Sequence, residues 1–214
     1  MITHKQYPNH HIFETEIGGR TFTVETGKVA ELCNGECICR YGDTVVLVTA
    51  VASSAPKSGI EYFPLTIEFE ERLYSVGRIP GAYLRREGRP SEKGILVSRL
   101  IDRPMRPFFD DDLRNDVVIT CTALANDYEN PVEVVASLGA FHRHRLLRHP
   151  LERPPWPPQR SPIWTANISS TPSYEQREAR TDVRNHCLPP AEKVVMIETR
   201  GPRRFPGGHP AGRH

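Results

Sequence analysis

No apolar run in this chain reaches the 18 or so residues that a membrane-spanning helix needs, so a helical membrane protein is not expected. The first twenty residues, MITHKQYPNHHIFETEIGGR, contain no apolar core and no small-residue cleavage site. That excludes a secretory signal within them and points to the cytoplasm. Cysteine is scarce and odd in number, at Cys33, Cys37, Cys39, Cys121 and Cys187, so a disulfide framework is not expected in a reducing compartment. The cluster CNGECIC invites zinc, but its C-x3-C-x-C spacing is not that of a structural zinc pair and no fourth ligand stands out. The plainer reading places Cys37 and Cys39 on one face of a strand as small buried residues.

A net charge of one sign is also lacking: the whole chain stands at +2. The balance hides a division. Up to Ala140 there are 15 Lys and Arg against 20 Asp and Glu; from Phe141 onward there are 13 against 6. Eight of the 20 prolines precede the same boundary and 12 follow it. Residues 1–140 therefore read as one domain, and 141–214 as a Pro/Arg-rich remainder.

Within the first part, HIFETEIGGRTFTVE alternates around a Gly18-Gly19 turn and predicts a hairpin. Two further strands flank Tyr41-Gly42-Asp43. The second, Thr44 to Val51, is nearly continuous in apolar residues and predicts a strand covered on both faces. Tyr62, Leu65, Ile67 and Phe69 predict another strand, which Pro64 assigns to an edge or a bulge. A helix is expected from Ser91-Glu92, with Ile95, Leu96 and Leu100 turned inward and Pro104 and Pro107 ending it. Another strand follows from Asp116. A second helix follows Asn130, the expected N-cap, with Pro131 in its first position. The class is α/β.

Against that frame of near neutrality, the stretch from Gly77 to Phe109 is unusual. It holds Arg78, Arg85, Arg86, Arg89, Arg99, Arg103 and Arg106 against only Glu87, Glu92 and Asp102. Arg99 and Arg103 are four apart and share a helix face; Arg106 extends that direction, and Arg85, Arg86 and Arg89 sit on the preceding loop. Guanidiniums stay charged and match phosphate oxygens in a fork. Such a row can follow a nucleic-acid backbone while Tyr83 stacks on a base. Composition alone leaves open a solvated face, with Arg99 or Arg103 paired to Asp102 or Glu92.

As ordered words, YGDTVVLVTAVAS, FPLTIEFEERLYSVGRIPGAYLRREGRPSEKGILVSRLIDRPMRPFF and NPVEVVASLGA resemble the first RNase PH-like core domain of the polynucleotide phosphorylases. The resemblance runs in order from about Phe13 to Ala140. It implies a β-α-β-α core domain with a mixed sheet and helices packed on it. It implies phosphorolytic 3′–5′ degradation of single-stranded RNA to nucleoside diphosphates, as in mRNA turnover, with inorganic phosphate and Mg²⁺. It also implies a homotrimeric ring of subunits with two cores each, followed by further RNA-binding domains. The family's loop usually reads Phe-Phe-Arg-Arg-Glu-Gly-Arg and grips RNA; here Tyr83-Leu84 replaces the aromatic pair, weakening one stacking surface. The resemblance thus assigns RNA contact to Tyr83, Arg85, Arg86, Arg89, Arg99, Arg103 and Arg106.

The family's metal carboxylates and serine-rich phosphate motif belong to its second core. No residue here matches them, so no catalytic residue and no metal ligand is assigned. Asp110-Asp111-Asp112 follows RPFF, where the family has a polar turn, and reads as solvated. The alternative function is therefore a non-catalytic RNA-binding fragment. Beyond Ala140 the pattern lapses into FHRHRLLRHPLERPPWPPQR, returns at SYEQRE (Ser173–Glu178) and AEKVVMIE (Ala191–Glu198), and lapses again. Segments 141–172 and 199–214 are accordingly expected to be translated in a shifted frame. A divergent, disordered Pro/Arg-rich segment is the competing explanation. The tract of His142, His144 and His149 needs no metal.

Overall fold

The computed structural model describes residues 7–81, 83, 86–110, 112–144, 184–188 and 196–200. Six strands form one mixed sheet: β1 (His11–Ile17), β2 (Arg20–Thr26), β3 (Gly35–Tyr41), β4 (Thr44–Pro56), β5 (Leu65–Glu71) and β6 (Asn115–Ala125), in the order β1-β2-β3-β4-β6-β5. Every neighbouring pair is antiparallel except β5 and β6, which run parallel. A parallel pair needs a crossover, and helix α1 (Glu92–Met105) supplies it. Helix α2 (Val132–His144) follows β6, so β5-α1-β6-α2 is the expected β-α-β-α unit. Two further strands, β7 (Arg184–Leu188) and β8 (Met196–Arg200), pair with each other.

The pleat sorts the residues. Phe22 and Val24 of β2, Cys37, Cys39 and Tyr41 of β3, Val46, Val48 and Ala50 of β4, Val117, Ile119, Cys121 and Ala123 of β6 and Leu65, Ile67 and Phe69 of β5 lie on one face, and all are buried. Helix α2 lies over β3, β4 and β6, and α1 over β5. Gly139 makes the closest approach. A Cβ there would stand 2.8 Å from both Cys39 Sγ and Val48 Cγ2, so only glycine lets α2 settle on the strands. Cys37 and Cys39 are core residues, their sulfurs 3.8 Å apart. The Cys37 thiol beside it, with burial, pushes the Cys39 thiol well up; burial alone does most of this at Cys121.

The hairpin at Gly18-Gly19 and the edge position of β5 match the sequence pattern. Five expectations do not hold. Tyr62 lies outside β5 and is exposed, because Pro64 breaks the alternation before the strand begins. β4 is buried from Thr44 to Ala50 on one face, whereas on the other only Val45 is buried, Leu47 and Thr49 are partly open and Val51 is exposed. In α1, Ile95 and Leu96 point outward, at 46% and 67% exposure, and Leu100 is half-buried; the buried stripe is Gly94, Val97, Ile101, Pro104 and Met105. That stripe follows the i, i+3, i+4 rule, and Gly94 seats it against the Phe69 carbonyl. Pro104 lies inside α1 rather than after it, since only one backbone bond is lost so near the end.

The Asn130 side chain does not cap α2 either. Its Oδ1 accepts from Arg20 and its Nδ2 donates to Asp127 Oδ2 at 2.6 Å. Asp127 Oδ1 also accepts from Thr44 Oγ1 at 2.9 Å and from the amides of Glu129 and Asn130, both at 2.8 Å. This carboxylate clasps the β3–β4 turn to the start of α2.

Candidate nucleic-acid interface

The arginine stretch divides by what each guanidinium touches. Helix α1 starts cleanly because Ser91 Oγ accepts from the Gly94 amide at 3.0 Å, and Glu92 lies in its first turn. It runs antiparallel to β5. Ser98 Oγ, midway along the helix, accepts from Phe69 N near the end of β5, and Arg106 reaches Leu65 at the start of the strand. With this face fixed, Arg99 and Arg103 lie on the outer surface, exposed and one turn apart. Neither makes an ion pair with any described residue. The nearest acid by sequence, Asp102, holds Arg106 instead.

Arg106 is the exception among the predicted contacts. Its Nε donates to Asp102 Oδ2 at 2.8 Å, its Nη2 to the Leu65 carbonyl at 2.9 Å and its Nη1 to the Phe63 carbonyl at 3.4 Å. The side chain fastens the end of α1 to the start of β5, where Phe63 and Phe109 also meet at 4.6 Å between ring centroids.

The loop carries the others. Tyr83 is fully exposed, and Arg86 and Arg89 are exposed with no ion pair to any described residue. Arg85 lies outside the described residues, as do Asp111, His149 and Ser173–Glu178. Glu87, the one acid of the loop, faces inward: it accepts from the Leu73 amide and from Arg72 Nη1 at 3.2 Å. Arg72 in turn meets Glu70 Oε2 at 2.8 Å. The two carboxylates raise the affinity of the Arg72 guanidinium for its proton and hold it charged. Removing Glu87 from the loop surface leaves the arginines facing solvent without a compensating acid.

Sequence reasoning passed over Tyr74 here and counted Arg78 in the arginine row without giving it a role. A single 3-10 turn, Leu73–Val76, joins β5 to the loop, capped by Gly77 at φ +68°, a left-handed conformation suited to glycine. It presents Tyr74, 54% exposed, and hands the chain to Arg78. Together Arg72, Tyr74, Arg78, Ile79, Pro80, Arg86 and Glu87 line an open cleft of about 490 Å³. The signal was the word LYSVGR itself, an aromatic and an arginine on either side of a turn glycine.

Among the described residues no three His, Cys, Asp or Glu side chains converge as a metal site requires. The residues described here do not fit Mg²⁺, and no step is derived through it. The described surface is equipped to hold an anionic chain, with cations on a helix and loop and two tyrosines beside them.

The family model for the 3′ exoribonuclease family, domain 1, matches residues 18–142. The chain belongs to the 3′ exoribonuclease family. The match takes in β2 through β6, α1 and all but the last two residues of α2, and so all of the arginine stretch. Curated polyribonucleotide nucleotidyltransferases are similar over the same region: that of Ruminiclostridium cellulolyticum is 56% identical over 186 residues, 87% of this chain and 26% of its own length. That of Oceanobacillus iheyensis is 51% identical over 194 residues, again 87% and 26%. The chain thus spans about a quarter of the length of these relatives. A chain of the Archaeoglobus fulgidus exosome, solved with RNA bound to the active site, shares the fold with a TM-score of 0.55 at 15% identity. It covers 94% of this chain and 81% of its own. No helix among the described residues is long and apolar enough to cross a membrane.

Proposed function

We propose that this chain forms the RNA-holding first core of a phosphorolytic 3′–5′ exoribonuclease, a polyribonucleotide nucleotidyltransferase acting in cytoplasmic mRNA turnover. The observation that carries the reading is the set of exposed arginines without an ion-pair partner among the described residues, Arg86 and Arg89 on the loop and Arg99 and Arg103 on α1, in a domain of this family. Tyr83 and Arg85 of the same loop complete the proposed contact surface. Arg106 contributes by fixing α1 to the sheet. Single-stranded RNA runs across this surface, its phosphates meeting guanidinium forks and its bases the aromatic rings.

In this reading inorganic phosphate attacks the terminal phosphodiester, and the shortened RNA chain leaves as its 3′-hydroxyl. Cationic groups of a second core would stabilise the charge that develops. This core orients the strand and excludes the wrong geometry, and a homotrimer closes the channel. Residues 1–140 make up the first core, and the tail holds remnants of it interrupted by frame-shifted segments. The relative from Ruminiclostridium cellulolyticum matches 186 residues, more than the first 140 can hold, which favours family-like sequence within the tail.

The test mixes the purified chain with polyadenylate, inorganic phosphate and Mg²⁺. It follows ADP release alongside RNA binding. Salt-sensitive binding without ADP release is expected. ADP release by this chain would overturn the assignment of the chemistry to a second core, and absence of binding would overturn the RNA-holding role.

A further inference from the structure

The cleft beneath the arginine loop sets Arg78 and Arg86 of the arginine row beside Tyr74, Ile79 and Pro80, which the row does not single out. Its back wall is rigid. Gly77 N donates to Tyr74 O at 3.0 Å and Arg78 N to Leu73 O at 2.9 Å, so the turn that bears Tyr74 and Arg78 is closed by its own backbone. Ser75 is buried beneath it; its Oγ donates to the Arg72 carbonyl at 2.6 Å, and its carbonyl accepts from Asn126 N at 3.0 Å. The turn is therefore fixed to the end of β6. On the opposite side Glu87 binds Arg72 and the Leu73 amide and draws the loop over the turn, which brings Arg86 to the cleft.

The lining is chemically divided. Tyr74, Ile79 and Pro80 give a flat, apolar and aromatic wall. Arg78 and Arg86 give two guanidiniums, neither paired to a described residue, whereas Arg72 is held by Glu70 and Glu87. A volume of about 490 Å³ lies in the range of small-ligand sites. An aromatic wall beside paired cations suits a ligand with a π-face and a phosphate, since bases stack on tyrosine irrespective of sequence and guanidiniums fork phosphate oxygens.

We propose that this cleft is a single-nucleotide subsite for the RNA strand: one base stacks on Tyr74 against Ile79 and Pro80, and its phosphate is held by Arg78 and Arg86. The inference rests on the RNA-holding role proposed above and adds Tyr74 and Arg78 to it. It makes the grip sensitive to bases as well as to charge. Loss of the Phe-Phe pair at Tyr83-Leu84 is then offset by a stacking surface on a fixed turn rather than on the loop tip.

The test measures binding of two fluorescently labelled oligomers of equal length, an oligoadenylate and an abasic ribose-phosphate chain, to the full chain at several salt concentrations. Wild type is expected to prefer oligoadenylate. Tyr74→Ala should reduce that preference to what Tyr83 supplies, weakening oligoadenylate by roughly 5- to 150-fold, the span for one base–aromatic stack, while leaving the abasic chain unchanged. Tyr74→Phe should restore it. Arg78→Ala should weaken both oligomers and lower the slope of log K against log salt by about 0.7, one single-strand phosphate contact, and Arg78→Lys should recover most of that slope. If Tyr74→Ala binds oligoadenylate as wild type does while Arg99→Ala weakens it, the subsite is wrong and the RNA-holding role stands. Equal weakening of both oligomers by Tyr74→Ala would show a structural effect and overturn the stacking. If wild type binds neither oligomer, the subsite and the RNA-holding role fall together.

Discussion

Replacing Arg106 and replacing Arg99 or Arg103 are expected to have opposite consequences, although all three look alike in sequence. Arg106 gives hydrogen bonds to Asp102, Leu65 and Phe63, and Leu65 is 6% exposed, so its carbonyl has little access to water. A bond to a charged group is worth about 1.5–3 kcal/mol when buried, and an exposed i, i+4 ion pair only about 0.3–0.5 kcal/mol. The Arg106 and Asp102 side chains are 43% and 23% exposed, between those limits. Asp102 Oδ1 is already buried without a partner, so losing Arg106 leaves the carboxylate unpaired. Arg106→Ala should therefore cost about 1–2 kcal/mol, seen as a lower urea midpoint or a Tm lowered by roughly 2–8 °C. Arg99→Ala and Arg103→Ala break no hydrogen bond or ion pair to a described residue and add a better helix former, so stability should stay within about 0.5 kcal/mol. Each should instead lower the salt slope of RNA binding by about 0.7. A double-mutant cycle of Arg106→Ala with Asp102→Ala should show the two costs to be strongly non-additive. The reasoning is refuted if Arg106→Ala leaves the urea midpoint unchanged and weakens RNA binding as much as Arg99→Ala does.

Two further outcomes test the fold. At Asp127 burial opposes ionisation, but the hydrogen bonds from Asn130, Thr44 and Glu129 outweigh it and lower its pKa. Its contribution is therefore full above the ordinary carboxylate range near pH 4 and is lost as pH falls through the lower folded value. Asp127→Asn should cost about 1 kcal/mol at neutral pH and converge on wild type in acid, measured by urea unfolding across pH; parallel curves would refute this. Gly139→Ala gains about 1 kcal/mol in helix propensity but pushes a methyl against Cys39 and Val48, for an overpacking cost of about 1–3 kcal/mol. A net loss is expected, partly recovered by adding Cys39→Ala; a more stable Gly139→Ala would contradict the packing described for α2.

The fold was legible where one physical rule acts alone. Period-two alternation and the turn glycines located β1 to β3, and Pro64 placed β5 at an edge. The face of α1 was not legible, because Gly94, Ile95, Leu96 and Val97 are apolar in every direction around the helix. Contact decided it: Gly94 sits against the Phe69 carbonyl and Ser98 accepts from the Phe69 amide, which turns Ile95 and Leu96 outward. Asn130 carries every local mark of an N-cap, yet Arg20, 110 residues away in sequence, and Asp127 take its side chain. The site shows the same limit. The arginine row stood out as charge, but charge alone does not show that Arg106 binds backbone carbonyls or that Glu87 is folded away from the surface. Tyr74 was marked only by the word LYSVGR; its place on a turn fixed to β6 emerges only from the packing of the sheet end.

The most direct test of the RNA-holding role is the affinity of the purified chain for single-stranded oligoadenylate measured across a range of KCl concentrations. Arg86, Arg89, Arg99 and Arg103, with Arg85 of the same loop, each neutralising one phosphate predict a straight line of log K against log salt with a slope of about −3.5, steepening to about −4.2 with Arg78 of the proposed subsite. Binding that is absent at low salt, or that does not change with salt, would contradict the account.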